Sequence, residues 1–170
     1  LSAIPTDHQR FLGMQGMHGH YASSMSMHSA DVIVSLGVRF NDRVTGNRTK
    51  FAVGAKIVHV DVDGSELNKT VNSICGLRGD VKLTLQKLIP LLNKDRKDEW
   101  MAKVNAFRAE EETYLDNREG LTPRRAILTL NKHLGENTAV CTDVGQHQMW
   151  SAQNLNFKTT RRFASSGGLG

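Results

Sequence analysis

An α/β fold, a parallel sheet with helices on both faces followed by an incomplete second α/β domain, is what this sequence predicts. Two short β-branched runs, 32–36 (VIVSL) and 57–62 (IVHVDV), are bounded by Gly, Asn and Asp, as buried parallel strands are. Helical patterns lie between and after them. Past residue 122 the order becomes helix, strand, helix, strand, which calls for a parallel sheet covered by helices. The last strand begins at Phe163 and the sequence ends at Gly170, so the second domain is expected to be unfinished.

Each element has a local reason. A helix is expected over 21–28, behind a glycine-rich stretch. After the second strand, Val81, Leu85, Leu88, Ile89 and Leu92 share one helical face, with Asp80 at the N-cap position. Pro90 marks a kink or the last turn of that helix. Residues 98–115 read as a charged helix with a narrow apolar seam at Trp100, Val104, Phe107 and Tyr114, a pattern suited to crossing a surface or joining domains. The pattern breaks over 116–122 (DNREGLT), where a linker is expected. Thr122 then supplies an N-cap and Pro123 the first helical position. Ala126, Ile127, Leu130 and Leu134 make one face of the next helix, and Gly135 stops it. A strand over 138–142, a helix over 147–155 and a strand from Phe163 complete the reading.

Composition narrows the function. The 170 residues are 39% hydrophobic and 23% charged, with no apolar run long enough to cross a bilayer. The start, LSAIPTDHQRFLGM, has neither a signal-peptide pattern nor an Arg-rich transit pattern, and it lacks an initiating methionine, as an excised piece would. Cys75 and Cys141 form no CxxC motif and no disulfide framework. A reducing, cytoplasmic setting follows, with both cysteines expected as small core residues. The net charge is +5, yet the basic residues are scattered: Lys94, Arg96 and Lys97 alternate with Asp95, Asp98 and Glu99. With aromatics at 6% and no basic stripe interleaved with them, a nucleic-acid footprint is missing.

Three segments put glycine where a strand gives way to a loop or helix, the edge of an open parallel sheet where ligands bind. The first, 13–19 (GMQGMHG), precedes a helix start and can bring backbone N–H groups up to an anion. Taken alone, it reads rather as a tight turn with Met17 in the core and His18 on the surface. The second, 35–47 (SLGVRFNDRVTGN), carries Arg39 and Arg43, which can fork onto phosphate oxygens, and Asp42, which can orient one of them. The other reading is a surface loop whose Arg and Asp pair with each other. The third, 142–150 (TDVGQHQMW), ends a strand at Val144 and Gly145, offers the donors Gln146 and His147, and opens a helix, a natural seat for a diphosphate. A second glycine turn, SSGGLG, follows on the next strand. His18, His20 and His28 lack a carboxylate or cysteine at ligand spacing, so no metal site is expected, and no nucleophilic triad is present.

At GMHGHYASS, GVRFNDRVTGN, IVHVDVD, RGDV, TDVGQHQMW and SSGGLG the chain resembles the catalytic subunits of acetohydroxyacid synthase, or acetolactate synthase, a thiamine-diphosphate enzyme family. The resemblance runs through the whole chain in order. It implies that 1–115 are a middle, Rossmann-like FAD-binding domain with its exit helix, cut at its N-terminus. Residues 116–122 would be a linker, and 123–170 the start of the thiamine-diphosphate domain, cut at its C-terminus. The family's middle domain is a six-stranded parallel sheet, and its FAD is structural. By motif, Gly16, Met17, His18, Gly37, Val38, Arg39, Asn41, Arg43 and Val44 would touch FAD, with Asp61, Val62, Asp80 and Val81 at its adenosine end. Val144, Gly145, Gln146, His147 and Gly170 would hold thiamine diphosphate.

Two positions depart from the family pattern: Asn41 stands where RFDDR has aspartate, and Gln15 where leucine precedes GMHG. Asn41 keeps an acceptor and loses a charge. The resemblance further implies an enzyme that decarboxylates pyruvate and joins the two-carbon unit to a second 2-oxo acid in branched-chain amino-acid biosynthesis. Such subunits form homodimers or larger oligomers and can bind a regulatory subunit. The family's activating glutamate and its Mg²⁺ motif fall outside residues 1–170, so no catalytic and no metal-binding residue is assigned, and this chain alone is expected to be inactive. Pyruvate oxidase, glyoxylate carboligase and a non-catalytic dinucleotide-binding module are the alternatives.

Overall fold

The computed structural model describes residues 2–95, 97–115 and 118–167. The expected linker lies partly, and Gly170 wholly, outside them. Helix α1 (Tyr21–Ser29) leads into strand β1 (Val32–Leu36), a short helix α2 (Asp42–Thr45), β2 (Lys56–Asp61), β3 (Cys75–Arg78) and α3 (Val81–Leu88). The long α4 (Asp98–Tyr114), α5 (Pro123–Asn131), β4 (Val140–Thr142), α6 (Gln146–Asn154) and β5 (Phe163–Ser165) follow. Among the described residues no helix is long and apolar enough to cross a membrane. The chain divides into two compact units, Ser24–Ala109, and Leu1–Ser23 together with Glu110–Gly170.

In the unit Ser24–Ala109, β1, β2 and β3 form a parallel sheet in that order, with Val34 opposite Val58 and Val60 opposite Leu77. Central β2 takes most of the burial: Ile57, His59, Val60 and Asp61 are all buried. The flanking strands differ from the sequence expectation. Val32 and Val34 of β1 are about half exposed, and β3 is exposed at all four residues. An edge strand has a neighbour on one side only, so β-branched character alone does not bury it. β3 has no sequence signature; the main-chain ladder to β2 defines it. The second strand ends at Asp61, one residue before the expected limit, and Val62 is exposed. Of the six strands implied, three stand among the described residues.

Phe40, Phe51, Ala52 and Ile57 make the buried cluster of this unit, with Met27 of α1 and Ile33 of β1 against it. The expected seam of α4 is only partly used: Val104 is fully buried, whereas Tyr114 is 66% exposed. The face of α3 likewise thins toward its end, where Ile89 and Leu92 are exposed and Pro90 sits in a single 3₁₀ turn.

In the other unit the N-terminal segment is laced to the C-terminal one. The Thr6 N–H donates to Phe157 O at 2.9 Å, the Arg161 N–H donates to Ser2 O at 2.8 Å, and the Phe163 N–H donates to Ser2 Oγ at 3.2 Å. β4 and β5 pair in parallel, Val140 opposite Phe163. Leu155 and Phe157 supply buried apolar surface, and Asn131 of α5 donates to Asn154 O at the end of α6. Both cysteines are exposed, contrary to the core role expected of them. Cys75 opens the exposed edge strand β3. Cys141 faces away from its neighbours Val140 and Thr142, which are half-buried, as strand alternation requires.

Candidate functional site

The C-terminal edge of the three-stranded sheet gathers most of the residues that the sequence singles out. Gly37 follows β1 with φ +63°, and its N–H donates to Val60 O at 2.8 Å. A side chain there would come to 3.9 Å from Val81 Cγ2, so the loop after β1 and the start of α3 are neighbours. Asp61 closes β2, buried, and its Oδ1 accepts the Asp63 N–H at 2.9 Å. Asp80 caps α3, accepting the Leu83 N–H at 2.9 Å. Asn41 caps α2 in the same way, its Oδ1 accepting the Val44 N–H at 3.1 Å. That acceptor works within the loop, which answers what the missing charge at this position leaves behind. The Asp63 carboxyl is held below the usual carboxylate range by the Ser65 backbone and hydroxyl donors, with Arg39 and Lys69 adding attraction. Gly37, Val38, Arg39, Asp61, Val62, Asp80 and Val81 thus lie at or follow the C-terminal ends of the three strands of one sheet, whereas Asn41, Arg43 and Val44 belong to α2 and its cap, beyond Phe40, which packs back against Ile57 of β2.

In the unit that holds both chain ends, Gly16, Met17 and His18 lie in a tight turn. The His20 N–H donates to Met14 O and the Gly19 N–H to Gly16 O, both at 2.8 Å. Met17 is 63% exposed, so the reading that placed it in the core is overturned. Gln153 of α6 donates to His18 O at 2.8 Å. Val144 and Gly145 separate β4 from α6; Gly145, at φ 152°, is the N-cap, and Gln146 and His147 form the first turn. The Gln148 amide reaches Ser165 Oγ and Gly167 O at the end of β5. Ser166 Oγ lies 3.4 Å from Asp143 Oδ1. Residues 165–167, the described start of the second glycine stretch, therefore lie beside the loop that joins β4 to α6. Helix N-termini leave backbone N–H groups without helical partners and favour anions, and here such a terminus faces a second polar turn.

The model of the thiamine pyrophosphate enzyme central domain matches residues 1–88. The chain belongs to the thiamine pyrophosphate enzymes. Among its relatives, the acetolactate synthase isozyme 3 large subunit of Escherichia coli is 38% identical over 178 residues, covering all of this chain and 31% of the relative. The acetolactate synthase large subunit of Buchnera aphidicola is 39% identical over 180 residues, with 100% and 31% covered. That of Lactococcus lactis is 38% identical over 173 residues, with 100% and 30% covered. The chain spans about a third of the length of these relatives. The α/β class with parallel strands and helices agrees with the family expectation.

Some residues of this thiamine pyrophosphate enzyme were not visible as partners in its sequence. Gln148, which ties the two turns together, sits inside a motif with nothing in its surroundings to mark that role. Glu111 accepts from the Tyr21 N–H at 2.9 Å and lies 3.1 Å from His20 Nδ1, across 91 residues of sequence for the histidine. A carboxylate does stand beside one of the three N-terminal histidines, from a distant helix. These groups border a cavity of about 450 Å³ whose lining includes Tyr114, Trp150 and Gln153.

Tyr21 and Tyr114 pack with ring centroids 5.2 Å apart. The hydrogen bond from the Tyr21 phenol to the Glu110 carboxylate, with smaller help from desolvation, pushes the phenol up to about 12. Because the folded value is raised, the linked stability is present below pH ~10 and lost as pH rises toward 12. The Tyr21→Phe difference spectrum at 295 nm should therefore place Tyr21 ionisation near pH 12, and Glu110→Gln should return it toward ~10. A Tyr21 midpoint that Glu110→Gln leaves unmoved would refute the assigned cause.

Proposed function

We propose that this chain is the cofactor-holding middle of an acetolactate synthase catalytic subunit. Such an enzyme decarboxylates pyruvate and condenses the two-carbon unit with a second 2-oxo acid, a step of branched-chain amino-acid biosynthesis. The observation that supports the reading is the placing of Gly37, Asp61, Val62, Asp80 and Val81 at the strand ends of one sheet, with Arg39 to Val44 in the loop and short helix that follow β1, in a chain whose whole length matches about a third of the acetolactate synthase large subunits.

FAD fits that edge. The positive-φ Gly37 leaves the backbone bare beside Val81. Asp61 keeps Oδ2 for the adenosine end, and Arg39 and Arg43 bring cationic forks to phosphate oxygens. The flavin would serve as a structural group, and Gly16, Met17 and His18 carry the motif that the family uses toward it. Val144, Gly145, Gln146 and His147 would hold the diphosphate of thiamine diphosphate at the start of α6, with Gly170, outside the described residues, beside it. When bound, thiamine diphosphate supplies the carbon nucleophile and the electron sink that decarboxylation needs. The residues of this chain hold and orient it. Mg²⁺ would offset the charge of the diphosphate, and no residue of 1–170 is assigned to hold it. Residues 1–115, 116–122 and 123–170 would be the middle domain, a linker and the start of the thiamine-diphosphate domain. The parent would be a cytoplasmic homodimer or larger oligomer, open to a regulatory subunit.

Titration of the purified chain with FAD, followed by flavin fluorescence, is the test, with thiamine diphosphate titrated in parallel. A saturable change of flavin fluorescence with FAD and a saturable quenching of tryptophan fluorescence with thiamine diphosphate, reported by Trp150 of α6, are expected, with no turnover of pyruvate when Mg²⁺ is added. FAD affinity without thiamine diphosphate affinity would favour a dinucleotide-binding module, and turnover by the 170-residue chain would sink the assignment of catalytic groups outside it.

A further inference from the structure

His59 is fully buried in the middle of β2. Its Nε2 lies 3.0 Å from Val38 O, so the ring donates there, since a carbonyl oxygen only accepts. Nδ1 is buried without a hydrogen-bond partner. The edge of Phe40 meets the ring at 5.1 Å between centroids and an interplanar angle of 75°. A buried imidazole costs free energy that an apolar residue would not, and here it is used to reach 21 residues back to a loop carbonyl.

A peptide unit is planar and trans, so its C=O and N–H point in opposite directions. Pinning Val38 O on His59 therefore turns the Arg39 N–H away from His59, and Arg39 is an exposed residue. Gly37 fixes the same loop from the other end, through its N–H on Val60 O at 2.8 Å. Val38 is held between two adjacent residues of one central strand. We propose that His59 is a positioning residue for the FAD loop: it orients the Val38–Arg39 peptide so that the Arg39 N–H faces an anionic oxygen of the dinucleotide. This inference rests on the FAD reading above.

The side-chain amide of glutamine can place a donor where imidazole Nε2 stands, and leucine cannot. In FAD titrations of the purified chain, His59→Leu should weaken binding about 10-fold, the scale of one lost oriented hydrogen bond. His59→Gln should stay within about 3-fold of the parent, a rescue that mere core filling does not explain, because leucine fills the core better. Equal affinity for the parent and a folded His59→Leu chain overturns the proposal, as does equal loss in both variants. A nitrogen–proton spectrum of the parent adds a measurement that needs no variant to fold: a scalar coupling from the His59 Nε2–H to the Val38 carbonyl carbon is expected, and its absence overturns the proposal. A parent that takes no FAD rejects the FAD reading instead. The coupling, and an Arg39 amide shift that moves in His59→Leu and holds in His59→Gln, still decide whether the histidine orients this peptide.

Discussion

Alanine at Gly19 should destabilise the chain by about 3 kcal/mol, the upper range for overpacking a site that cannot give way. A Cβ there would lie 2.2 Å from Met14 O, 2.8 Å from the Gln15 carbonyl carbon and 2.9 Å from the Gly16 N. All three are backbone atoms, so no side-chain rotation relieves the clash. The turn must open, and its two 2.8 Å bonds, Gly19 to Gly16 and His20 to Met14, are lost or stretched. Each contributes on the order of 1 kcal/mol net. Gly54 is a fair comparison, because a Cβ there meets nothing within 4 Å; Gly54→Ala should stay within ~0.5 kcal/mol. Urea unfolding with a fixed m-value would measure both. Matching midpoints for the two variants would show that the 13–19 turn is not held as described.

Elements fixed by local chemistry were legible in the sequence, and elements fixed by distant partners were not. Thr122 and Asp80 announce helix starts because a short polar side chain reaches an N–H three residues on, and both do so here, to Arg125 at 3.2 Å and Leu83 at 2.9 Å. Pro123 adds a fixed φ where the helix needs it. β3 carries no such mark. CGLR mixes a glycine, a cysteine and a charge, all exposed, and the ladder to β2 alone makes it a strand. The cysteines illustrate the same limit, since small apolar character predicts burial only where a neighbour exists to cover it. At the site, residue types and loop positions could be read from glycine and charge, whereas uses could not. Asn41 reads as a candidate ligand, and the sequence does not show that its Oδ1 also caps α2. His59 reads as one more strand residue, and its role depends on a carbonyl in another loop.

Phe51→Ala should cost about 3–5 kcal/mol, the range for truncating a buried aromatic ring. Phe51 is 6% exposed and meets Phe40 edge-on at 5.8 Å between centroids, with His28 on a longer edge contact at 6.5 Å. Ala52 and Ile57 complete the buried apolar cluster, and His28 is at the rim of the space that Phe51 fills. Truncation to alanine therefore removes apolar packing that the neighbours recover only in part. Phe40 is the residue freed to move, and it also packs on His59. Two consequences separate this cluster from a generic core. Phe40→Ala and Phe51→Ala should be non-additive, the double variant losing at least ~0.5 kcal/mol less than the sum, because each single change already forfeits the ring pair. Phe51→Leu, which keeps most of the volume, should lose far less than Phe51→Ala. Additive losses, or a Phe51→Ala cost below about 1 kcal/mol, would mean that the loop bearing Arg39 is supported by something other than this stack of rings.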